Sequence, residues 1–236
     1  HTRSLCDWSS DVCSSDLTEF YHSFWDIVGV HVVKSLNERY QHEKLSNSQR
    51  KAALSLIFKK GDIEDLGNWR PISLLNTDLK IGAYALAKRV QKVLNKIVET
   101  DQSGYVKNGY IGCNIRLIND IIDFAEHFDL TGAILFLDFK KAFDMLEWPF
   151  MIAALKRFGF GESFIKWVTT LYTGLSSHIV NNGWISEPVL LTRGIRQGCP
   201  LSALLFIISV EFLAIDIRKN TKIKGIYIPG SNREIK

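Results

Sequence analysis

Apolar residues recur at helical spacing through the first half of the chain. Phe20, Phe24, Ile27, Val28, Val32, Leu36 and Tyr40 share one face of a predicted helix. A short apolar run, 53–58, then opens into a loop holding Lys59, Lys60 and Gly61. In "NWRPIS", Pro71 disfavours a helical Arg70, so that stretch is predicted extended. Helical spacing returns in "DLKIGAYALAKRVQKVLNKIV", with Leu86, Val90, Val93, Leu94 and Ile97 inward and Lys88, Lys92 and Lys96 in an outward stripe. Another helix, Ile115 to Phe128, is predicted to bury Leu117, Ile118, Ile121, Ile122 and Phe128, with Asp129 and Gly132 ending it.

The second half alternates between periods. Five apolar residues, Ala133 to Leu137, predict a buried strand that runs straight into Asp138. Pro149 sits where a helix favours its first residue and Gly159 where it stops. "ESFIKWVTTLYTG" predicts the next helix, with Phe164, Trp167, Val168 and Leu171 inward. "SSHIVNNGWIS" predicts a hairpin turning at Asn182-Gly183. "VLLTR" and "IKGIYIPG" read as strands on either side of a long apolar helix opened by Pro200. That helix, 200–217, is broken by Glu211 and Asp216 and falls short of the roughly 20 apolar residues a membrane span needs. Helices first, then hairpins mixed with helices, predict an α+β fold.

Composition fits a globular chain with a real core: 236 residues, 46% hydrophobic and 23% charged. Residues 1–17, "HTRSLCDWSSDVCSSDL", follow neither period and contain no apolar stretch of a signal peptide. "DWSSDVCSSDL" resembles one translated frame of a short-read sequencing adapter, which marks 1–17 as non-native; the alternative is a disordered Ser-rich tail. The segment carries one Arg and three Asp, so without it the formal net charge of +4 becomes +6, a mild lean toward a polyanionic partner. Two cysteines then remain, Cys113 and Cys199, which support neither a disulfide framework nor a zinc cluster and favour a reducing, intracellular setting.

Three features carry candidate chemistry. "LDFKKAFD" presents Asp138 at a strand end, with Phe143 five residues on. "RGIRQGCPLS", 193–202, is a Gly-rich basic loop feeding a helix N-terminus, which suits an anion. "KKGD…NWRPIS" offers Lys59, Lys60 and Arg70. Each has a plainer explanation. Asp138 could cap a short helix through Ala142 and Phe143, Phe143 could be core, and Gly194 and Gly198 could simply permit a turn. Lys59-Lys60 and the Lys88, Lys92, Lys96 stripe could be solvated faces. Together, a carboxylate, a cationic loop and a helix N-terminus are what a metal-nucleotide site needs.

From about Phe20 to Lys236 the chain resembles the reverse transcriptase of non-LTR (LINE-type) retrotransposons. The residues that carry the resemblance are "NWRPISLLN", "KIGAYALAKRVQKVL", "DQSGYV", "NIRLI", "LDFKKAFDMLEW" and "RGIRQGCPLS", in that family's order and spacing. The set sits closer to the LINE type than to group II intron-like or telomerase-like polymerases. The resemblance implies a right-hand polymerase, with an N-terminal extension and fingers over 18–130 and a partial palm over 131–236 whose antiparallel sheet packs against helices. It implies copying of an RNA template from a DNA primer with dNTPs and Mg²⁺ (or Mn²⁺), in the nucleus or a cytoplasmic ribonucleoprotein, with no membrane and no disulfide partner.

Residue roles follow from the same resemblance. Asp138 is the first catalytic, metal-binding aspartate, and the carbonyl of Phe139 also reaches the metal. Phe143 lies under the incoming sugar, where its ring collides with a 2′-hydroxyl. Gln197 and Gly198 lie against the nucleotide, while Arg70 with Lys59 or Lys60 holds the triphosphate. Lys88, Lys92, Lys96, Arg193 and Arg196 contact nucleic acid.

Departures from the family pattern matter. A hairpin with a Phe/Tyr-Ala-Asp-Asp motif is expected after "KGIYI" and does not occur before Lys236; Asp120, Asp123, Glu211 and Asp216 lie on predicted helices and do not replace it. The chain is therefore expected to be a polymerase fragment truncated before that hairpin and inactive by itself; the alternative is a non-catalytic nucleic-acid-binding remnant. Ala203 stands where the family has Pro, and Asn108-Gly109 where it has Gly-Arg.

Overall fold

A computed structural model describes residues 19–227 and 234–236. The adapter-like segment 1–17 lies outside the described residues, as do 228–233 of the final strand region.

Helix α1 (Trp25–His42) ends at Glu43 in the left-handed conformation, and its inward residues are Gly29 and Val32. Phe20, Phe24 and Ile27, expected on the same buried face, are exposed. A one-turn helix, α2 (Asn47–Arg50), starts with a reciprocal capping box between Ser46 and Gln49. Strand β1 (Lys51–Phe58) follows directly and pairs antiparallel with β2 (Trp69–Leu74), Ile57 opposite Arg70 and Leu56 opposite Pro71. Pro71 donates no ladder hydrogen bond, and β2 is accordingly an edge strand.

Helix α3 (Thr77–Leu94) supplies much of the core through Leu79, Ala83, Leu86, Ala87, Val90 and Leu94. Val93, expected inward, is exposed. Helix α4 spans Ile111–His127, longer at its start than the sequence suggested, and contains no buried residue. Leu117, Ile122 and Phe128, expected in the core, are exposed.

The largest difference is at 133–137. That run is not a strand, and Ile134, Leu135, Phe136 and Leu137 are all exposed, Leu135 to 78%. A strand exists only through a hydrogen-bonded neighbour, and no described strand pairs with this segment. The chain then turns through Lys141 in the left-handed region into α5 (Ala142–Met145).

Helices α6 (Trp148–Arg157) and α7 (Glu162–Tyr172) form as expected, with Pro149 in the first turn of α6 and Gly159 at φ +77° just beyond its end. Strands β3 (Ser176–Asn181) and β4 (Trp184–Ile185) form the expected hairpin, with Asn182 and Gly183 both at positive φ. Strand β5 (Val189–Leu190) pairs with the start of β3. The sheet order is β2-β1-β3-β4, and β1 and β3 run parallel, so this sheet is mixed rather than antiparallel throughout. Helix α8 (Ser202–Lys219) is buried along its first half, and β6 (Ile226–Tyr227) pairs with β7 (Glu234–Ile235). The core lies where α3, α6, α7 and α8 meet, centred on Val90, Leu94, Met151, Leu155, Val168 and Leu205.

Candidate nucleotide site

The loop Arg193–Cys199 joins three parts of the chain. On one side the Gly194 and Ile195 amides donate to the carbonyls of Leu146 and Phe143, each at 2.7 Å. The Trp148 indole N–H donates back to the Gly194 carbonyl at 2.7 Å. On the other side the Ser73 amide of β2 donates to the Gln197 carbonyl at 2.7 Å. The loop is thereby a bridge between the β1–β2 hairpin and α5.

Two glycines permit that approach. Gly194 (φ +85°) would place a Cβ 2.8 Å from the Asp144 carbonyl oxygen, and Gly198 (φ +111°) would place one 2.6 Å from the Ser73 carbonyl oxygen. Both conformations also disfavour a side chain. Gly194 and Gly198 thus do more than turn the chain: they let backbone meet backbone.

Phe143 is half-buried, its ring edge-on to Phe206 at 5.2 Å and to Tyr105 at 6.4 Å. Gln197 is half-buried too, and its side-chain amide donates to Asp144 Oδ1 at 3.2 Å. Asp144, Tyr105, Ser73 and Trp148 were not singled out from sequence. Asp144 carried a signal, an acid one residue after a candidate sugar-contacting ring; the others are apolar or neutral residues whose roles arise from tertiary contact.

Lys59 and Lys60 follow β1 directly, Arg70 lies on β2, and all three are exposed with no ion-pair partner among the described residues. Arg70 precedes Ser73 by three residues, about 10 Å along a strand from the point where β2 meets the loop. Arg193 is exposed, and Lys88, Lys92 and Lys96 are exposed, with Lys88 resting 5.1 Å from the Tyr84 ring centre. Arg196 differs. It is 6% exposed, and its guanidinium donates to the main-chain carbonyls of Arg50 at 2.6 Å and Gln49 at 3.5 Å. Its guanidinium is thus turned inward, unlike the exposed cations expected with it to contact nucleic acid.

Asp138 follows the unpaired 133–137 segment, exposed, with no hydrogen-bond or ion-pair partner among the described residues. It does not cap α5: the capping position is Lys141, and no side chain bonds there. Beside it an open cleft of about 260 Å³ is lined by Phe139, Met145, Phe150, Phe206, Val210 and Leu213. A larger cavity, about 430 Å³ between Tyr40, Arg89, Val93, Phe160, Phe164 and Trp167, touches none of the expected site residues.

A divalent cation needs several oxygen donors. Among the described residues no three His, Cys, Asp or Glu side chains come together. Asp120 pairs with Arg116 and Glu211 with Arg218, so neither substitutes. Asp138 and the Phe139 carbonyl alone do not make a complete metal site. Cys113 and Cys199 are free thiols; burial pushes the Cys199 thiol up, as it does the Tyr172 hydroxyl, which shares a hydrogen bond with Ser202 at 3.3 Å. No helix among the described residues is long and apolar enough to cross a membrane.

The loop thus joins the hairpin that bears Lys59, Lys60 and Arg70 to the turn that bears Phe143. Residues 57–228 match the family model described as "Reverse transcriptase (RNA-dependent DNA polymerase)", and the chain belongs to that family. It is 38% identical over 201 residues to the "Transposon TX1 uncharacterized 149 kDa protein" of Xenopus laevis, covering 85% of this chain and 15% of that protein. It is 28% identical over 172 residues to the "Retrovirus-related Pol polyprotein from type-1 retrotransposable element R2" of Popillia japonica, covering 72% of this chain and 24% of that one. A third relative, from type-2 element R2DM of Drosophila melanogaster, is 27% identical over 69% of this chain and 15% of its own length. These relatives place the chain with the reverse transcriptases of non-LTR retrotransposons, and it spans a quarter or less of their length.

Proposed function

We propose that this chain carries the incoming-nucleotide site of an RNA-directed DNA polymerase. The supporting observation is the loop bridge: through Gln197 it joins the strand that bears Arg70 to the turn that bears Phe143. Lys59, Lys60 and Arg70, unpaired with any carboxylate among the described residues, hold the triphosphate. Phe143, kept edge-on by Phe206, lies under the deoxyribose and rejects a 2′-hydroxyl. Gln197, tethered by Asp144, steadies sugar and base. Residues 18–130 form the extension and fingers and 131–236 part of the palm. Lys88, Lys92, Lys96 and Arg193 follow the phosphates of the RNA template and DNA primer.

Asp138 and the Phe139 carbonyl would offer oxygen to a Mg²⁺ ion, which would supply charge neutralisation at a transferring phosphate. The described residues do not complete that ligand set. This chain's own contribution is to position and to select the nucleotide.

The test is primer extension on an RNA template by the full-length protein that carries this chain, beside Arg70→Ala and Asp138→Ala. Loss of extension in both, with template binding retained, supports the reading. Extension unaffected by either overturns it. Salt-sensitive RNA binding with no dNTP effect would instead favour a non-catalytic nucleic-acid-binding remnant.

A further inference from the structure

Arg196 is a buried charge with no carboxylate partner among the described residues. Its partners are the carbonyls of Gln49 and Arg50, its Nε is buried with no partner, and burial pushes its pKa down. The groups around it, Tyr172 and Cys199, are themselves held neutral by burial. Such an arrangement contributes little stability, because the desolvation cost of the ion offsets its bonds. Its value lies in geometry.

The two carbonyls end α2, where the backbone swings extended at Lys51 to begin β1. Arg196, immediately before Gln197, thus ties the loop to the end of α2, where β1 begins. Gln197 in turn accepts from Ser73 on β2, whose register partner on β1 is Leu54. Loop, α2, β1 and β2 close a ring: Arg196 to the end of α2, α2 directly into β1, β1 to β2, β2 to Gln197. A planar fork spans two adjacent carbonyls, which a lysine ammonium does not reproduce.

We propose that Arg196 is a positioning residue for nucleotide selection, fixing the height of Gln197 above β2, and not a contact to nucleic acid. The proposal rests on the nucleotide-site reading above.

Its test uses Arg196→Met and Arg196→Lys in the full-length protein, with single-nucleotide incorporation on an RNA template. Both raise the dNTP KM about tenfold and leave kcat within about threefold, the size of one lost bond network. Arg196→Met lowers the melting temperature modestly, because the Gln49 and Arg50 carbonyls lose their donor while an apolar chain fills the space. Affinity for RNA and its salt dependence stay unchanged. A salt slope lowered by about one would assign Arg196 to a phosphate instead and overturn the proposal. An unchanged KM also overturns it, as does a parallel fall of kcat and melting temperature with no change in KM.

Should the unsubstituted protein incorporate no nucleotide, the polymerase reading fails separately. Hydrogen exchange at the Ser73 amide of this chain then decides: faster exchange in Arg196→Met upholds the tether, and unchanged exchange removes it.

Discussion

The side-chain amide of Gln197 donates to the Asp144 carboxylate at 3.2 Å although 53 residues separate them in sequence. The bond fixes the loop to the turn that carries Phe143, and neither residue is fully buried. Asp144→Ala is expected to cost about 1 kcal/mol of nucleotide binding, read as a several-fold rise in dNTP KM. Asp144→Asn, which keeps an acceptor, should recover most of it.

Phe143 is held by two edge-on aromatic contacts, so its ring has a fixed plane. Phe143→Ala in the full-length protein should lower discrimination between dNTP and rNTP by roughly 10–100-fold, the range one pocket contact supplies. Competitive incorporation of the two nucleotide types checks it. Equal discrimination before and after the substitution would remove Phe143 from the sugar.

Gly198 is the tightest point of the loop bridge. A Cβ there lies 2.6 Å from the Ser73 carbonyl oxygen at a φ of +111°. Gly198→Ala should therefore cost more than about 1 kcal/mol of stability, since it adds a contact with backbone to a conformational penalty. Urea unfolding of this chain measures it.

The Arg218 guanidinium bonds to fully buried Glu211 at 2.8 Å and to Asp101 at 3.0 Å. Burial opposes the charge of Arg218, and these hydrogen bonds overcome it and raise its pKa. Arg218→Ala would strand a buried carboxylate and should destabilise the chain by about 3 kcal/mol. Adding Glu211→Gln should recover part of that loss.

Burial raises the Tyr172 hydroxyl above its ordinary value of 10.0. The folded state therefore keeps this proton where the unfolded state begins to release it. The resulting stability is complete below about pH 10 and declines as pH rises beyond it. Burial of the Cys199 thiol acts in the same direction from a lower starting value. A melting series from neutral to alkaline pH should fall steeply for the native chain and less steeply for Tyr172→Phe.

What the sequence made legible was what local chemistry decides. The Asn182-Gly183 turn and the Pro149 and Gly159 boundaries of α6 each rest on backbone preferences of one or two residues, and each formed in place. The parallel pairing of β1 with β3 joins residues more than a hundred positions apart, and no pattern announces it. The run 133–137 had the composition of a strand without the neighbour that makes one, and the apolar face of α4 likewise lacked a cover. Around the loop bridge, Phe143, Gln197 and the two glycines are marked by motif. The inward turn of Arg196 is not legible in the sequence, because residue type speaks for charge and only packing speaks for direction. Asp144 and Ser73 became visible through the bonds they make.

The open stretch Ala133 to Leu137 has a practical outcome for anyone who purifies this chain. Five consecutive apolar residues with unpaired backbone donors and acceptors form a template that other extended chains can zip onto. Concentrated alone, the chain is expected to self-associate through the same few residues that lead to Asp138. Solubility and chemistry are therefore coupled: a charge placed at Leu135 to keep the chain in solution sits three residues from the aspartate.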